Sequence, residues 1–318
     1  MKALTGVMIL CIALAGKAMA EPTYRIFVTN EKDNTVSVID SRTNKVEATI
    51  KVGHRPRGIG LSPDHASVYI ALGEDNAIGV IDTKTLKVVK SIPSGSDPEA
   101  FAVHPNGHIY LSNEDANLAS VLDPVSGELL AEIPVGIEPE GVGITPDGKR
   151  VMVTSESTNM VHVISVPDHK SIANILVGAR PREVTFSDDS KWGYVTSEIG
   201  GQVTKFDVAA SKIVKTVKLT SIKKVKPKGA LLSRDQKTLY VSTGRADSIA
   251  VLDADNLELQ TTIPVGKRVW GLALSRDSSR LYTCNGIDNT VSVVDTAAQK
   301  EIAKIAVGDM PWGVVIDD

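Results

Sequence analysis

Short apolar runs alternate with polar turn residues along almost the whole chain and recur at a nearly constant spacing. Each repeat is marked by an apolar run that ends in an acid or a serine, at Val38-Ile39-Asp40, Val80-Ile81-Asp82, Val121-Leu122-Asp123, Val163-Ile164-Ser165, Lys205-Phe206-Asp207, Val251-Leu252-Asp253 and Val293-Val294-Asp295. Successive marks lie 42, 41, 42, 42, 46 and 42 residues apart. A period of this length, built from strand-like segments, is typical of a β-propeller in which each repeat forms one blade.

Each repeat predicts four short strands. In the second repeat, the Val- and Ile-rich runs cover residues 58–62, 67–72, 77–82 and 87–92, and polar residues separate them. Such runs are typical of β-strands. Pro, Asp and Gly favour tight turns, and they recur between the first and second runs, for example in Thr145-Pro146-Asp147-Gly148. Because no segment carries a sustained helical period, the sequence predicts an all-β fold.

The number of strands predicts the number of blades. After residue 20 the chain opens with three strands near 24–28, 35–40 and 45–50, continues with six complete repeats, and ends on one strand near 313–317. One C-terminal strand added to three N-terminal strands completes another blade and removes the open edge between the first and last repeats. We therefore predict a single domain, residues 21–318, that forms a seven-bladed β-propeller of four-stranded antiparallel blades.

The first 20 residues have the features of a cleaved secretory signal. Lys2 provides the basic head, residues 7–15 form the apolar stretch, and Ala18-Met19-Ala20 resembles a cleavage site. The apolar stretch is too short to span a bilayer, so we predict a periplasmic or secreted protein without a membrane anchor. Removal of Lys2 and Lys17 changes the formal charge from −3 to −5, which disfavours binding to nucleic acid.

Processing leaves one cysteine. Cys11 lies in the predicted signal, so the exported chain retains Cys284 and forms no internal disulfide. Since Cys284 follows the apolar residues Leu281 and Tyr282, we predict a buried and unreactive thiol.

Several repeats carry a short motif that is similar to a known family. Phe27-Val28-Thr29-Asn30 and Tyr194-Val195-Thr196-Ser197 resemble the Tyr-Val-Thr-Asn repeat of the YVTN β-propellers, and Ile133-Pro134-Val135-Gly136 fits the end of the same repeat. Seven such repeats behind a signal are most similar to the PQQ-dependent catabolism-associated β-propeller proteins. This resemblance implies a periplasmic protein that accompanies quinoprotein alcohol oxidation and an associated transport system, without an established molecular activity.

One ring of loop residues is the candidate binding site. Loops from each fourth strand to the next first strand emerge on one face, together with the loops from second to third strands. The first set places these residues at one equivalent position: Arg57, Glu99, Glu140, Arg182, Lys228, Trp270 and Trp312. Arg55 and Arg180 lie two residues before their neighbours in this ring. Charged groups and aromatic rings at a concave mouth can orient a ligand, so we predict a site for a small molecule or a partner protein. An equally open interpretation is that these side chains neutralise one another across the channel.

The second set of loops contributes an acid in five blades, at Glu31, Glu74, Glu114, Glu156 and Glu198. We interpret these acids as ion-pair partners of the arginines, with a low-affinity cation site as the alternative. The histidines lack a second histidine at ligand spacing, so no transition-metal site is predicted. We also predict no bound cofactor, because the chain has no haem-attachment, PQQ-binding or phosphate-loop motif.

The 46-residue repeat contains four extra residues, in segment 221–228, which carries four lysines. A run of like charges predicts a solvated loop, and a docking surface for an acidic partner is the alternative.

These features lead to three hypotheses about function. We predict a non-catalytic binding or scaffold protein, accessory to PQQ-dependent alcohol catabolism, because no nucleophile elbow or other catalytic motif is present. The first alternative is a lactonase-like hydrolase with Glu99 and Glu140 as acid and base and Arg182 as anchor. The second is a carrier of a d-type haem or another cofactor, with His54 as the axial ligand. The oligomeric state stays open.

Overall fold

The computed structural model describes residues 21–318, which form seven four-stranded antiparallel sheets. Blade 1 contains β1 (Arg25–Asn30), β2 (Thr35–Asp40), β3 (Lys45–Lys51) and the final strand β28 (Pro311–Asp317). Blade 2 contains β4 (Pro56–Leu61), β5 (Ser67–Leu72), β6 (Ala77–Asp82) and β7 (Lys87–Pro93). Blade 3 contains β8 (Pro98–Val103), β9 (Ile109–Asn113), β10 (Leu118–Leu122) and β11 (Leu129–Pro134). Blade 4 contains β12 (Pro139–Ile144), β13 (Arg150–Ser155), β14 (Met160–Ser165) and β15 (Lys170–Leu176).

The remaining three blades follow the same order. Blade 5 contains β16 (Pro181–Phe186), β17 (Trp192–Ser197), β18 (Gln202–Asp207) and β19 (Lys212–Lys218). Blade 6 contains β20 (Ala230–Leu232), β21 (Thr238–Ser242), β22 (Ser248–Asp253) and β23 (Leu259–Pro264). Blade 7 contains β24 (Val269–Leu274), β25 (Arg280–Asn285), β26 (Thr290–Asp295) and β27 (Lys300–Ala306). Residues 21–318 include no helix long and apolar enough to cross a membrane. The predicted signal lies outside the described residues.

The first strand of each blade lies innermost. The inner strands β28, β4, β8, β12, β16, β20 and β24 each contact the next inner strand around a closed ring and surround a central channel. The prediction of seven blades is confirmed. Because strand direction alternates within each sheet, the two predicted sets of loops lie at one end of this channel.

Both ends of the chain close the ring within blade 1. Strand β28 pairs with β1 through Val28 and Val314, among other partners. The buried carboxylate of Asp317 accepts hydrogen bonds from Thr23, at 2.9 Å from the backbone N–H and 2.5 Å from Oγ1. Asp317 also lies 2.8 Å from Nδ1 of His65 in blade 2. The predicted closure is therefore confirmed, and the contact between His65 of blade 2 and Asp317 reinforces it.

Apolar side chains of the middle strands fill the spaces between neighbouring blades. Between blades 7 and 1, for example, Ile26 and Val28 pack with Tyr282, Cys284 and Val293. Cys284 is fully buried, and burial raises the pKa of its thiol. The prediction of a buried thiol is confirmed.

One charged side chain interrupts the apolar pattern between blades 5 and 6. Lys205 occupies the position of Val163 and Val251 in the neighbouring repeats, yet its side chain is buried. Its Nζ donates to the backbone oxygens of Ala254 and Asp255, at 3.2 and 2.8 Å, and to Oδ1 of Asp255 at 3.0 Å. Because these acceptors satisfy the buried ammonium, the Lys205 side chain links blade 5 to blade 6.

Candidate functional site: the channel mouth

A recurring turn carries the mouth residues to the channel. In six blades the residue before the first Pro or Val of the inner strand has a positive φ, which is uncommon outside glycine: Arg55, Asp97, Glu138, Arg180, Arg268 and Met310. The backbone N–H of each donates to an Asn or Asp side chain that lies 21 residues earlier, at 2.9 to 3.1 Å. These bonds fix the turn and direct the next residues toward the mouth.

The turns enclose a cavity of about 210 Å³ at one end of the channel. Six of the seven predicted ring residues line it: Arg57, Glu140, Arg182, Lys228, Trp270 and Trp312. All five secondary predictions line it as well: Arg55, Arg180, Glu114, Glu156 and Glu198. The seventh ring residue, Glu99, is fully buried behind this lining. The structure therefore brings together the residues that the repeat alignment placed in one set.

Arginines of blade 2 bind the acid of blade 3. Glu99 has no exposed surface, and its two carboxylate oxygens pair with Arg55 and Arg57. Arg57 also pairs with Glu31 of blade 1, at 3.1 Å. A carboxylate held in this way is satisfied by charge-assisted hydrogen bonds, so Glu99 positions two guanidinium groups.

A second cluster joins blades 4 and 5. Arg182 lies 2.7 Å from Glu140 and also contacts Glu156, while Arg180 lies 2.6 Å from Glu156 and 3.4 Å from Glu198. Burial by itself raises the pKa of Glu140, but the nearby charges of Arg182 and other cations outweigh burial, so this pKa lies below its usual value. Glu140 is therefore ionised in the folded protein at neutral pH.

Glu114 belongs to a compact group of acids. Carboxylate oxygens of Asp97, Glu99 and Glu114 lie within 4.8 Å of one another. Burial, and then the hydrogen bond and charge of Glu99, raise the pKa of Glu114 to about 8. Arg55 contacts all three acids, so a guanidinium already supplies the positive charge that a cation would bring.

Glu31, Glu156 and Glu198 form ion pairs with arginines, as predicted, but Glu31 and Glu156 are buried and not exposed. Glu114 lies 3.6 Å from Arg55, and its pKa of about 8 leaves it largely protonated at neutral pH. Glu74 differs, because it is exposed outside the cavity lining and makes no ion pair within 4 Å among residues 21–318.

Cations of blades 6 and 7 contrast with the paired arginines. Within residues 21–318, Lys226, Arg245 and Arg268 make no ion pair within 4 Å, although all three line the cavity. Lys228 is buried, and its Nζ lies 3.9 Å from Oε1 of Glu140, which is too long for a hydrogen bond. The second-to-third loops of these blades carry Arg245 and Gly286 where the other blades carry acids.

Two tryptophans support these cations. Lys228 Nζ lies 3.7 Å from the ring centroid of Trp312, and the Arg268 guanidinium lies 4.3 Å from that of Trp270. The two rings lie 6.3 Å apart. A cation–π contact holds a cation in place without accepting its N–H groups in conventional hydrogen bonds.

The pKa values reflect an excess of positive charge. Burial and repulsion from Arg182 lower the pKa of Lys228 to about 8. Burial also lowers the pKa of Arg268, and Arg245 repels it while Glu31 partly opposes the shift. An anion in this part of the mouth would stabilise both cations.

Some sequence-based assignments need correction. Acids and cations of neighbouring blades form ion pairs, so the mutual neutralisation that the sequence left open holds for Arg57, Glu99, Glu140 and Arg182. Glu99 and Glu140 are poor candidates for acid and base, because arginines bind both carboxylates.

The other corrections concern position. Lys223 and Lys224 are exposed, as predicted for a solvated loop, but Lys226 of the same segment lines the mouth beside Lys228, which the repeat alignment had already placed there. His54 is exposed, its Nδ1 lies 2.8 Å from Asp75, and it does not line the cavity. The geometry therefore gives no support to His54 as a haem ligand.

Sequence reasoning missed Glu183, which lies directly after the ring residue of blade 5. The equivalent positions in the other six blades hold glycine or alanine: Gly58, Ala100, Gly141, Gly229, Gly271 and Gly313. This departure from the repeat was visible in the alignment, but its meaning depends on the channel that only the folded ring creates.

Comparisons with known proteins agree with this fold. Residues 139–306 match the family described as lactonase, 7-bladed beta-propeller, and residues 86–191 match the family described as YNCE-like beta-propeller. Among curated proteins, no sequence matches this chain.

Similar solved structures include hydrazine synthase from Kuenenia stuttgartiensis, with a TM-score of 0.80 and 22% identity over 88% of this chain and 94% of that one. A putative 6-phosphogluconolactonase from Bacteroides uniformis has a TM-score of 0.77 and 20% identity over 92% of this chain and 98% of that one. Dihydro-heme d1 dehydrogenase NirN in complex with DHE has a TM-score of 0.67 and 17% identity over 93% of this chain and 66% of that one. At these identities the likeness shows the fold alone.

Proposed function

The chain belongs to the family described as lactonase, 7-bladed beta-propeller, and from the chemistry of its mouth we propose that it is a non-catalytic binding protein for a small polyanionic molecule. One observation carries this proposal: among residues 21–318, the mouth cations Lys226, Arg245 and Arg268 make no ion pair within 4 Å, and Arg268 lies against the ring of Trp270. Family membership specifies the propeller, whereas loop side chains decide what a propeller binds.

The balance of charge supports an anionic ligand. Eight cationic side chains and four glutamates line the cavity. Glu31, Asp97 and Glu99 add acids at its border, but each is paired with Arg55 or Arg57. Positive charge is therefore concentrated on Lys226, Lys228, Arg245 and Arg268. Cations around a concave, partly desolvated mouth attract anions and provide donors for carboxylate or phosphate groups.

The state of the acids supports binding without catalysis. A general acid or base needs a pKa near the working pH and access to the substrate. Glu99 is buried between two arginines, and the pKa of Glu140 lies below its usual value. The two predicted catalytic acids, Glu99 and Glu140, are therefore already engaged by arginines, whereas Glu114, with a pKa of about 8, could exchange a proton near neutral pH.

The repeat motif suggests a physiological setting for this activity. Its resemblance to the PQQ-dependent catabolism-associated propellers supports export to the periplasm and an accessory role in quinoprotein alcohol oxidation. PQQ carries three carboxylates on a planar ring system, so it is the first polyanion to test. In this proposal the protein holds its ligand reversibly and has no resident cofactor.

Calorimetry with PQQ and benzene-1,2,4-tricarboxylate tests the mouth. We expect both compounds to bind, and we expect Arg245→Gln combined with Arg268→Gln to weaken binding by about 100-fold, since each lost charge-assisted hydrogen bond costs roughly tenfold. Binding should also weaken as the salt concentration rises.

The matched control is Arg234→Gln combined with Arg276→Gln. These exposed arginines belong to the same two blades but lie in first-to-second turns, at the other end of the channel. The control variant should bind both compounds as tightly as the wild type. Equal affinity of the mouth variant and the wild type, or no binding of either polyanion, would contradict the proposed function.

Hydrolysis of a phosphorylated lactone is the second candidate, because unpaired cations at the mouth would also hold a phosphate. The test follows acid release from 6-phosphogluconolactone with and without the protein. A non-catalytic protein leaves the spontaneous rate unchanged. Acceleration that disappears in the Arg245→Gln/Arg268→Gln variant would replace binding by catalysis as the function of the mouth.

A further inference from the structure

A second cavity, of about 280 Å³, lies in the channel directly below the mouth. Lys228 and Trp312 line both cavities, so they form the floor of the mouth and the roof of the channel. Phe101, Val142 and Leu231 contribute apolar surface to the channel wall. The channel therefore adjoins the mouth and shares Lys228 and Trp312 with it, but the rest of its lining differs.

Glu183 places a long side chain where the fold leaves little room for one. A Cβ atom added at Gly141 would lie 2.0 Å from the backbone oxygen of Arg182, and one added at Gly271 would lie 2.6 Å from that of Trp312. Such separations are too short for real atoms, so these blades require glycine for close contact between inner strands. Blade 5 departs from this rule and directs a carboxyl group into the channel.

Two polar groups in the channel lack hydrogen-bond partners among residues 21–318. Within residues 21–318, the Glu183 carboxyl has no hydrogen bond and no ion pair within 4 Å, and burial raises its pKa to about 7. The ammonium of Lys228 is only 5% exposed and donates no hydrogen bond to any described residue. Lys228 is buried and Glu183 is half-buried. Desolvated polar groups without hydrogen-bond partners are costly, so a ligand that pairs with both groups would stabilise them.

We propose that the channel is a second binding site, for a small zwitterion of the α-amino acid type. Its carboxylate would pair with Lys228, its ammonium would pair with Glu183, and a short apolar side chain would contact Val142 and Leu231. An acid without an ammonium would face the carboxyl of Glu183. An amine without a carboxylate would face Lys228 and Arg182. The proposal concerns a different ligand from that of the mouth and does not depend on it.

Binding of an ammonium group should ionise Glu183. The charged groups that act on this carboxyl are Lys228, Glu140 and Arg182. Near pH 7 a carboxyl with a pKa of about 7 is partly protonated, so pairing with an ammonium releases a proton. The binding enthalpy should therefore change with the ionisation enthalpy of the buffer.

Titration calorimetry with valine, 2-hydroxyisovalerate and isobutylamine tests this site. The three compounds share the branched isobutyl group; 2-hydroxyisovalerate carries a hydroxyl in place of the ammonium of valine, and isobutylamine lacks the carboxylate. We expect valine to bind and each analogue to bind at least about tenfold more weakly, because each lacks one charge-assisted interaction. Glu183→Gln should weaken valine binding by a similar factor and abolish proton release.

A second variant tests the site independently, in case Glu183→Gln fails to fold. Glu183→Gly restores the residue that five other blades use at this position, so its fold is secure, and it should also lose valine binding. The control Glu128→Gln removes an exposed acid of blade 3 and should bind valine like the wild type.

Three results would overturn the channel site: no valine binding at millimolar concentrations, equal binding of 2-hydroxyisovalerate, or unchanged valine binding by Glu183→Gln. A failure of the proposed polyanion site at the mouth would be recognised separately, because that assay uses polyanions and the Arg245→Gln/Arg268→Gln variant.

Discussion

Deletion of residues 311–318 should leave a chain that no longer unfolds in one cooperative thermal transition. The deletion removes β28 and with it the buried side chains of Trp312 and Val314 and the carboxylate of Asp317. Burial of these two apolar side chains together with Val315 contributes about 5 kcal/mol or more, which is a large part of the 5–15 kcal/mol that stabilises a typical domain. The unpaired edge of β1 would also be exposed and prone to association. Circular dichroism and light scattering during heating measure both effects.

Deletion of Asp318 alone is the matched control. Asp318 is half-buried and accepts a hydrogen bond from the backbone N–H of Arg276, at 3.0 Å, but it carries none of the strand pairing. This control should retain the single thermal transition of the wild type, with only a small shift in melting temperature. If the longer deletion melts at the same temperature as the control, closure by the C-terminal strand does not stabilise the ring.

Arg182→Ala should destabilise the protein by about 3–5 kcal/mol, because it leaves buried carboxylates without their main cation. Arg182 is 8% exposed and pairs with Glu140 and Glu156, which are 2% and 5% exposed. Urea unfolding at neutral pH measures the loss. The control Arg42→Ala breaks an exposed pair with Asp40 and should cost about 0–1 kcal/mol.

The loss of stability caused by Arg182→Ala should depend on pH. Because the pKa of Glu140 is lowered in the folded protein, its ionised form stabilises the wild type above the ordinary carboxyl pKa, and this contribution disappears as the pH falls through the lowered value. Without Arg182, burial raises the pKa of Glu140, so the difference between variant and wild type should narrow in acid. A constant difference from pH 7 to pH 3 would contradict this account.

A double variant tests whether Arg182 and Glu140 stabilise the fold as a unit. Glu140→Gln removes the buried charge that Arg182→Ala leaves behind, so the double variant should be more stable than the sum of the two single losses predicts. Simple additivity would mean that the two side chains contribute independently.

Much of the mouth was predictable, because the ring residues occupy one position of a repeated turn. Arg57, Glu140 and Trp312 are far apart along the chain, but equal repeats place them at equal heights in the blades. The sequence did not predict which mouth cations would lack an acidic partner. Arg182 is engaged by acids of blades 4 and 5, whereas Arg268 meets a tryptophan and another arginine. Such pairing depends on contacts between side chains of different blades.

The sequence by itself determined the all-β fold, the number of blades and the closure by β28, because hydrophobic periodicity and turn residues act locally and repeat seven times. The tertiary structure alone decided which mouth cations lack acids, and it revealed the carboxyl of Glu183 and the ammonium of Lys228 in one channel. The physical reason is that ion pairing and desolvation depend on distances of a few ångströms between blades, and these distances exist only once the ring has closed.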